Sequence, residues 1–193
     1  MPEAPFEAIC ATFKRAAAAL RDGEIRFMLG GGMAAWARGG PITQNDLDLV
    51  VAPADAERAL AVLEQAGLRT ERPPEEWLLK AYDGDVLVDL IFHPRGLPVD
   101  DALFHRADEM AVLSITVPVM ALEDVLVAKL LSLDEQRDLD YSSLLAIARS
   151  LREQIPWDEV RERTADSPYA KAFFTLVEEL GLSETSVSGA AQG

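Results

Sequence analysis

Residues 27–51, FMLGGGMAAWARGGPITQNDLDLVV, decide how the rest of the chain is read. A short apolar run enters three consecutive glycines, Ala34 to Arg38 suit a short helix closed by Gly39, Gly40 and Pro41, and DLDLVV returns as a strand. In that strand Asp46 and Asp48 alternate with Leu47 and Leu49. Strand side chains repeat every two residues, so both carboxylates leave the same face. Their spacing of roughly 7 Å, from a rise of about 3.4 Å per residue, lets them converge on one or two magnesium ions, which prefer hard oxygen ligands. The competing description is a half-exposed strand carrying two solvated acids. Aspartate is depleted in strands, yet these two open an otherwise apolar one directly after a glycine-rich turn, which favours the metal reading.

The glycines let the backbone approach an anion closely, and successive amides can form a phosphate-binding concavity. A strand, glycines and a helix in that order aim a helix N-terminus at the same place. The stretch is neither a Walker A loop, which needs a following Lys-Ser/Thr, nor the GxGxxG of a dinucleotide-binding unit. Arg38 is a candidate second phosphate contact; its plainer description is a surface arginine.

Outward from this stretch, Phe6, Ile9, Cys10, Phe13, Ala17 and Leu20 fall at three- and four-residue spacing, predicting a helix over 6–21 that stops at Asp22-Gly23. IRFML is a strand running into the glycines. Pro53 suits a first helical turn, so 54–66 is expected to be helical, with Gly67 as its stop. Residues 77–82 and 85–92 flank Asp83-Gly84, predicting a hairpin with a type I′ turn. AVLSITV at 111–117 is expected to be one further strand, closed by Pro118. Beyond it the period is helical over about 120–133, 135–154, 157–165 and 168–181, followed by a small, polar tail. This order implies an α/β (α+β) fold: a mixed β-sheet flanked by helices over 1–118, a C-terminal helical segment over 119–182, and a disordered tail over 183–193.

The hairpin carries a third acid. Asp89 interrupts VLVDLIF, where every neighbour is apolar, and an unpaired buried carboxylate there would cost several kcal/mol or be held neutral. It needs a partner. A cation shared with Asp46 and Asp48 supplies one if the hairpin strand lies beside the first acidic strand; a local salt bridge with an arginine or lysine is the alternative.

The whole chain sets bounds on these readings. With 193 residues, 49% hydrophobic and 26% charged, it can bury one substantial core. No stretch approaches the roughly 18 apolar residues of a membrane span, and no secretory leader is visible, so the expectation is a cytoplasmic protein with no membrane partner. The single cysteine, Cys10, excludes an internal disulfide and a cysteine-rich zinc site. His93 and His105 show no pairing pattern, and Trp36, Trp77 and Trp157 are expected to be core or interface anchors. The serines near Tyr141 lack a nucleophile elbow, so serine hydrolase chemistry finds no support. A net charge of −15 sits awkwardly with a nucleic-acid partner, which is usually gripped by a basic face.

Taken together, LGGGMAAWARGGPITQNDLDLVV and DVLVDLIF resemble the nucleotidyltransferases of the DNA polymerase β type, whose hallmark is a hydrophobic residue and Gly-Gly/Ser, then Asp-x-Asp, then a later strand acid. Gly31, Gly32, Asp46, Asp48 and Asp89 match it in order and spacing across 24–92. More loosely, LEDVLVAKLLSLDEQRDLDYSSLLAI is similar to small members, the AbiEii-like toxins and the minimal aminoglycoside-type enzymes, in which a helix carries a lysine and a basic-Asp pair follows; Lys129 and Asp138 occupy those positions. Independently, Leu122, Val125, Leu126, Lys129 and Leu133 share a helical stripe, so Lys129 leaves an otherwise apolar face, either snorkelling or reaching a triphosphate. Toxin-like members often place Arg-x-Thr/Ser one residue before Asp-x-Asp. Here the nearest hydroxyl is Thr43, with Gln44 and Asn45 between, which departs from that pattern.

The resemblance implies an enzyme that moves a nucleoside monophosphate from an NTP to an acceptor hydroxyl and releases pyrophosphate. Asp46, Asp48 and Asp89 would hold Mg²⁺ (or Mn²⁺), with Asp89 also helping to activate the attacking hydroxyl. Gly31, Gly32, Arg38, Thr43 and Lys129 would bind the nucleotide. For the acceptor, the toxin-like members imply RNA such as a tRNA 3′ end, together with an antitoxin partner. The acidic balance points instead to a small, cationic acceptor of the aminoglycoside kind, or to another protein. Arg149, Arg152, Arg161, Arg163 and Lys171 could supply a local basic cleft for RNA. A catalytically idle protein-binding module is a further alternative, and neither the NTP nor the oligomeric state is legible.

Overall fold

In the computed structural model, which describes residues 5–43, 46–135 and 139–183, the glycine-to-aspartate stretch folds as strand, helix and strand. Strand β1 (Phe27–Leu29) runs into helix α2 (Gly31–Ala37), and strand β2 (Asp46–Val51) returns antiparallel to β1 with Leu29 opposite Leu49. The helix begins on the glycines themselves rather than after them. Preceding it, α1 (Phe6–Asp22) buries Ile9, Phe13, Ala17 and Leu20 of the stripe that its spacing predicts, together with Ala16, while Phe6 and Cys10 are only partly buried.

After β2, a short 3-10 turn at Pro53–Asp55 leads into α3 (Ala56–Gln65), then β3 (Arg69–Glu71) and the hairpin β4 (Leu78–Asp83) and β5 (Val86–Ile91). Strand β3 and helix α4 (Asp101–Arg106) are too short to produce a visible period and were not expected. The segment expected to be one strand at 111–117 is two, β6 (Asp108–Val112) and β7 (Ile115–Val119). They pair around Leu113 and Ser114, whose φ values of 51° and 70° are the double left-handed pattern of a type I′ turn, formed here without glycine or asparagine. Conversely, the β4–β5 loop is Gly84-Asp85, with Gly84 alone at positive φ, which is the φ pattern of type II′.

The sheet order is β3-β4-β5-β2-β1-β7-β6. Pairs β2–β5 and β1–β7 are parallel and the rest antiparallel, so the sheet is mixed, as expected. Its main core includes Phe13, Met28, Leu47, Leu49, Val88 and Leu90.

Among the described residues four α-helices follow: α5 (Leu122–Ser132), α6 (Ser142–Leu151), α7 (Trp157–Arg163) and α8 (Pro168–Glu179). Leu126, Leu130, Leu144, Ile147, Phe173 and Phe174 form a second apolar cluster among them. The expected helix over 135–154 is shorter, beginning at Ser142. Helix α5 joins the two clusters, contributing Val125 to the first and Leu122, Leu126 and Leu130 to the second. Asp124, fully buried on α5, accepts bidentately from Arg106 of α4 at 3.0 and 3.1 Å and also pairs with Arg163 of α7. No helix among the described residues is long and apolar enough to cross a membrane. Asp138 and the tail beyond Ser183 lie outside the described residues.

Candidate active site

Parallel pairing of β2 with β5 sets Asp48 directly opposite Asp89, so residues 41 positions apart share one sheet face. One carboxylate oxygen from each of Asp46, Asp48 and Asp89 lies within 4.8 Å of the others. Asp89 is only 7% exposed, and its Oδ1 has no hydrogen-bond partner. Burial, reinforced by Asp48, pushes the Asp89 carboxyl up to about 7. Burial likewise pushes Asp48 up to about 6, against the pull of Lys129, and raises Asp46 against Lys129 and Lys80. Three oxygen donors that cannot all ionise comfortably without a counter-charge, one of them buried and unpartnered, fit a hard divalent cation.

The alternative for Asp89, a nearby base, is present as well. Lys80 on β4 lies opposite it, with Nζ 3.9 Å from Oδ1, a long contact that leaves the oxygen without a hydrogen bond. Sequence reasoning missed Lys80, and the turn explains why. A loop at Asp83-Gly84 would set Leu78 opposite Asp89, whereas the observed loop at Gly84-Asp85 sets Lys80 there. Displacing the loop by one residue shifts the cross-strand partner by two.

The glycines serve the aspartates directly. Gly31 has φ of +51°, and a Cβ there would lie 1.6 Å from Asp48 Oδ2. A Cβ on Gly32 would come within 2.6 Å of Thr43 Oγ1, and the Gly32 amide hydrogen-bonds the Asp48 carboxylate. Glycine is required at 31 because a carboxylate occupies the space of its side chain and the backbone is left-handed. Gly31→Ala is therefore expected to expel Asp48 from the cluster. Divalent-metal affinity, read as the metal-induced rise in Tm, should fall by about tenfold or more, with a loss of about 1–2 kcal/mol in stability from the backbone strain. Wild-type metal response in this variant would show that Asp48 is not held where the backbone of Gly31 demands.

Two adjoining cavities share Asp48, Trp77, Ile91 and Lys129. The outer one, about 740 Å³, also takes in Asp46, Asp89 and Thr43, with Asp140, Ser142 and Ser143 from the start of α6. The inner one, about 170 Å³, is closed by Val125, Ala128, Lys129 and Ser132, which at this spacing form one face of α5. Thr43 and Lys129 thus line the same space as the carboxylates. Arg38 does not: its guanidinium donates to Met120 O, Val119 O and Asp108, tying α2 to the β6–β7 hairpin. Trp77, read from sequence as an anchor, borders both cavities, and Ser142, Ser143 and Asp140 were not singled out because nothing local marks them. Trp36 and Trp157 do pack as anchors, against Phe6 and Phe174.

The anticipated basic cleft in the C-terminal helices does not form. Arg163 is held by Asp124 and Glu159, Arg161 by Glu178 and the Phe174 ring, and Arg152 lies 3.7 Å from Glu153, leaving Arg149 and Lys171 exposed. In so acidic a chain, carboxylates close by neutralise most of these arginines.

The chain belongs to the family described as uncharacterised nucleotidyltransferase, whose profile matches residues 8–178, and it is a nucleotidyltransferase in that sense. No curated protein matches it in sequence. Its fold is similar to a crystal structure of ANT(2″)-Ia in complex with adenylyl-2″-tobramycin, at 18% identity and a TM-score of 0.63, covering 85% of this chain and 98% of that one. A nucleotidyltransferase-like antigenic protein from Paracoccidioides brasiliensis is similar at 14% identity and a TM-score of 0.57, covering 90% and 87%. At such identities the likeness concerns the fold alone.

Proposed function

We propose that this nucleotidyltransferase transfers a nucleoside monophosphate from an NTP to a hydroxyl of a small, cationic, hydroxyl-rich acceptor, releasing pyrophosphate. The observation that carries the reading is the convergence of Asp46, Asp48 and Asp89 within 4.8 Å, with a buried Asp89 oxygen left without a hydrogen bond. Asp46, Asp48 and Asp89 would hold Mg²⁺ or Mn²⁺. A divalent cation there would polarise the phosphoryl oxygens and offset their developing charge.

The acceptor oxygen attacks the α-phosphorus, the bond from that phosphorus to the bridging β-phosphate oxygen breaks, and pyrophosphate leaves. Asp89, kept ionised by the cation it would help to hold, would assist removal of the acceptor hydroxyl proton. Lys129, which already acts on Asp48 and Asp46, neutralises triphosphate charge as the nucleotide enters. Gly31 and Gly32 keep Asp48 in place and bring backbone close to the phosphates, and Thr43 offers a hydroxyl beside Gly32. Catalysis on this scheme is positioning and electrostatics.

The outer cavity supports the acceptor class. Its described lining carries four carboxylates, Asp46, Asp48, Asp89 and Asp140, three hydroxyls and one cation, Lys129. With Asp46, Asp48 and Asp89 committed to the cation, Asp140 and the hydroxyls of Thr43, Ser142 and Ser143 are what this lining offers an acceptor: an anionic partner for an ammonium group, and hydrogen bonds for hydroxyls. The adenylyl-2″-tobramycin in complex with ANT(2″)-Ia is an adenylylated small molecule, in keeping with this reading.

The test incubates the purified protein with each α-labelled NTP and Mg²⁺, together with pooled aminoglycosides or pooled tRNA. Label is expected on the small molecule, lost in Asp48→Asn. Label on RNA instead would favour the toxin-type reading with its antitoxin partner. Absence of labelled product and pyrophosphate with either pool would favour an idle binding module.

A further inference from the structure

We propose that the inner cavity is the nucleobase pocket and that Trp77 is the residue against which the base packs, so that the two cavities divide the two substrates between them. This rests on the NTP-dependent reaction proposed above.

The division follows from what lines each cavity along one sheet face. On β2, Asp46 and Asp48 are followed on the same face by Val50; on β5, Asp89 is followed by Ile91. The face therefore changes from acidic to apolar along its strands, and it does so at the carboxylates. The inner cavity lies on the apolar side. Val50, Ile91, Met120, Val125 and Ala128 line it together with Lys129 and Arg95, Arg95 being held by Asp134, and Asp48 is its one described acid. A cationic polyol gains nothing there. A flat, uncharged ring does, because burying its faces removes apolar surface from water.

Size and connection agree. About 170 Å³ is below the roughly 300–1,000 Å³ that accommodates a whole drug-sized ligand, so the cavity takes one ring system while the remainder lies elsewhere. For a nucleotide the remainder is sugar and triphosphate, which must reach Asp48 and Lys129, the two charged residues shared by both cavities. A base in the inner cavity and phosphates at that shared boundary leave the acidic outer cavity to the acceptor. Trp77 borders both spaces and is half-buried, which suits a residue that covers the base on one side and faces solvent on the other. At the pocket edge the Ser132 hydroxyl donates to Lys129 O, which leaves its oxygen free to accept from a base edge.

The test separates base from phosphates. Isothermal titration with Mg²⁺ compares the α,β-methylene analogues of the four NTPs with inorganic tripolyphosphate, which carries the charge but no base. Wild type is expected to bind at least one analogue more tightly than tripolyphosphate. Trp77→Ala should weaken that analogue by about tenfold, the size of a lost base–aromatic stack, and leave tripolyphosphate unchanged. Ala128→Leu, which fills the cavity from α5 while retaining the Trp77 ring, should do the same. An unchanged ratio of analogue to tripolyphosphate affinity in both variants overturns the proposal, as does equal weakening of both ligands. If wild type binds neither ligand, the NTP-dependent reading itself fails, a result distinct from a normal ratio in the variants.

Discussion

Asp89→Asn is expected to lower nucleotidyl transfer by on the order of 10³-fold and, in the same protein freed of divalent metal, to raise thermal stability at pH 8. The two effects have one cause. Asp89 is buried beside Asp48 and Asp46 with an unpartnered oxygen, so its carboxyl is pushed to about 7. A carboxyl raised above its unfolded value of about 4 favours the folded state only while it is protonated. Its penalty is absent below about pH 4, grows as pH rises, and is complete above about pH 7. Asparagine keeps the shape and removes a penalty of about 4 kcal/mol, but it buries an amide that offsets about half of this, so the gain should be about 2 kcal/mol at pH 8, or roughly 4–8 °C in Tm for a chain of this length, shrinking as pH falls toward 4. Excess Mg²⁺ or Mn²⁺ should stabilise the wild type more than the variant, and more at pH 8 than at pH 5. Scanning calorimetry across that range, with and without metal, checks all of this. A fall in Tm at pH 8 in the metal-free variant would show that the Asp89 charge is satisfied within the fold, and wild-type transfer would remove Asp89 from the catalytic set.

Asp124→Ala is expected to reduce stability by about 3 kcal/mol, the low end for removing one partner of a buried ion pair. Asp124 is fully buried, and its loss strands Arg106 and Arg163, which are 40% and 25% exposed and can partly recover water. That partial exposure sets the figure at the low end. Because Asp124 lies on α5, which also carries Lys129, nucleotide affinity should weaken as well, without any direct contact between Asp124 and the ligand. Urea unfolding monitored by circular dichroism gives the stability change. A loss below about 1 kcal/mol would mean that apolar packing across α5 holds the helices without this carboxylate.

The candidate site was legible in part, for specific reasons. Asp46 and Asp48 are two residues apart on a strand, so their shared face follows from backbone geometry. Asp89 stood out because an acid amid VLVDLIF has no explanation within its own segment. Lys80, Trp77, Ser142 and Asp140 gave no such signal. Each is an ordinary residue in its local context and enters the site only because another element is packed beside it. Arg38 shows the opposite failure: near the glycines in sequence, it is turned by the end of α2 toward the β6–β7 hairpin. The single strand expected at 111–117 failed because Leu113 and Ser114 are unusual residues for a turn with two left-handed positions.

By itself, the sequence determined the chemistry available and the local form of most elements: apolar stripes at helical spacing, alternation in strands, two acids on one strand face, and a third, Asp89, too costly to leave among apolar neighbours without a partner. Those are properties of residues within a few positions of one another, and backbone geometry alone converts them into faces. Tertiary structure decided what meets what. It set Asp48 opposite Asp89 through the parallel pairing of β2 with β5, put Lys80 rather than Leu78 across from Asp89, and closed the inner cavity with α5 and the outer one with α6. It also bound most of the C-terminal arginines to acids, removing the basic cleft that their clustering suggested. Register and helix docking depend on contacts between distant segments, and a loop displaced by one residue changes them without altering any local period.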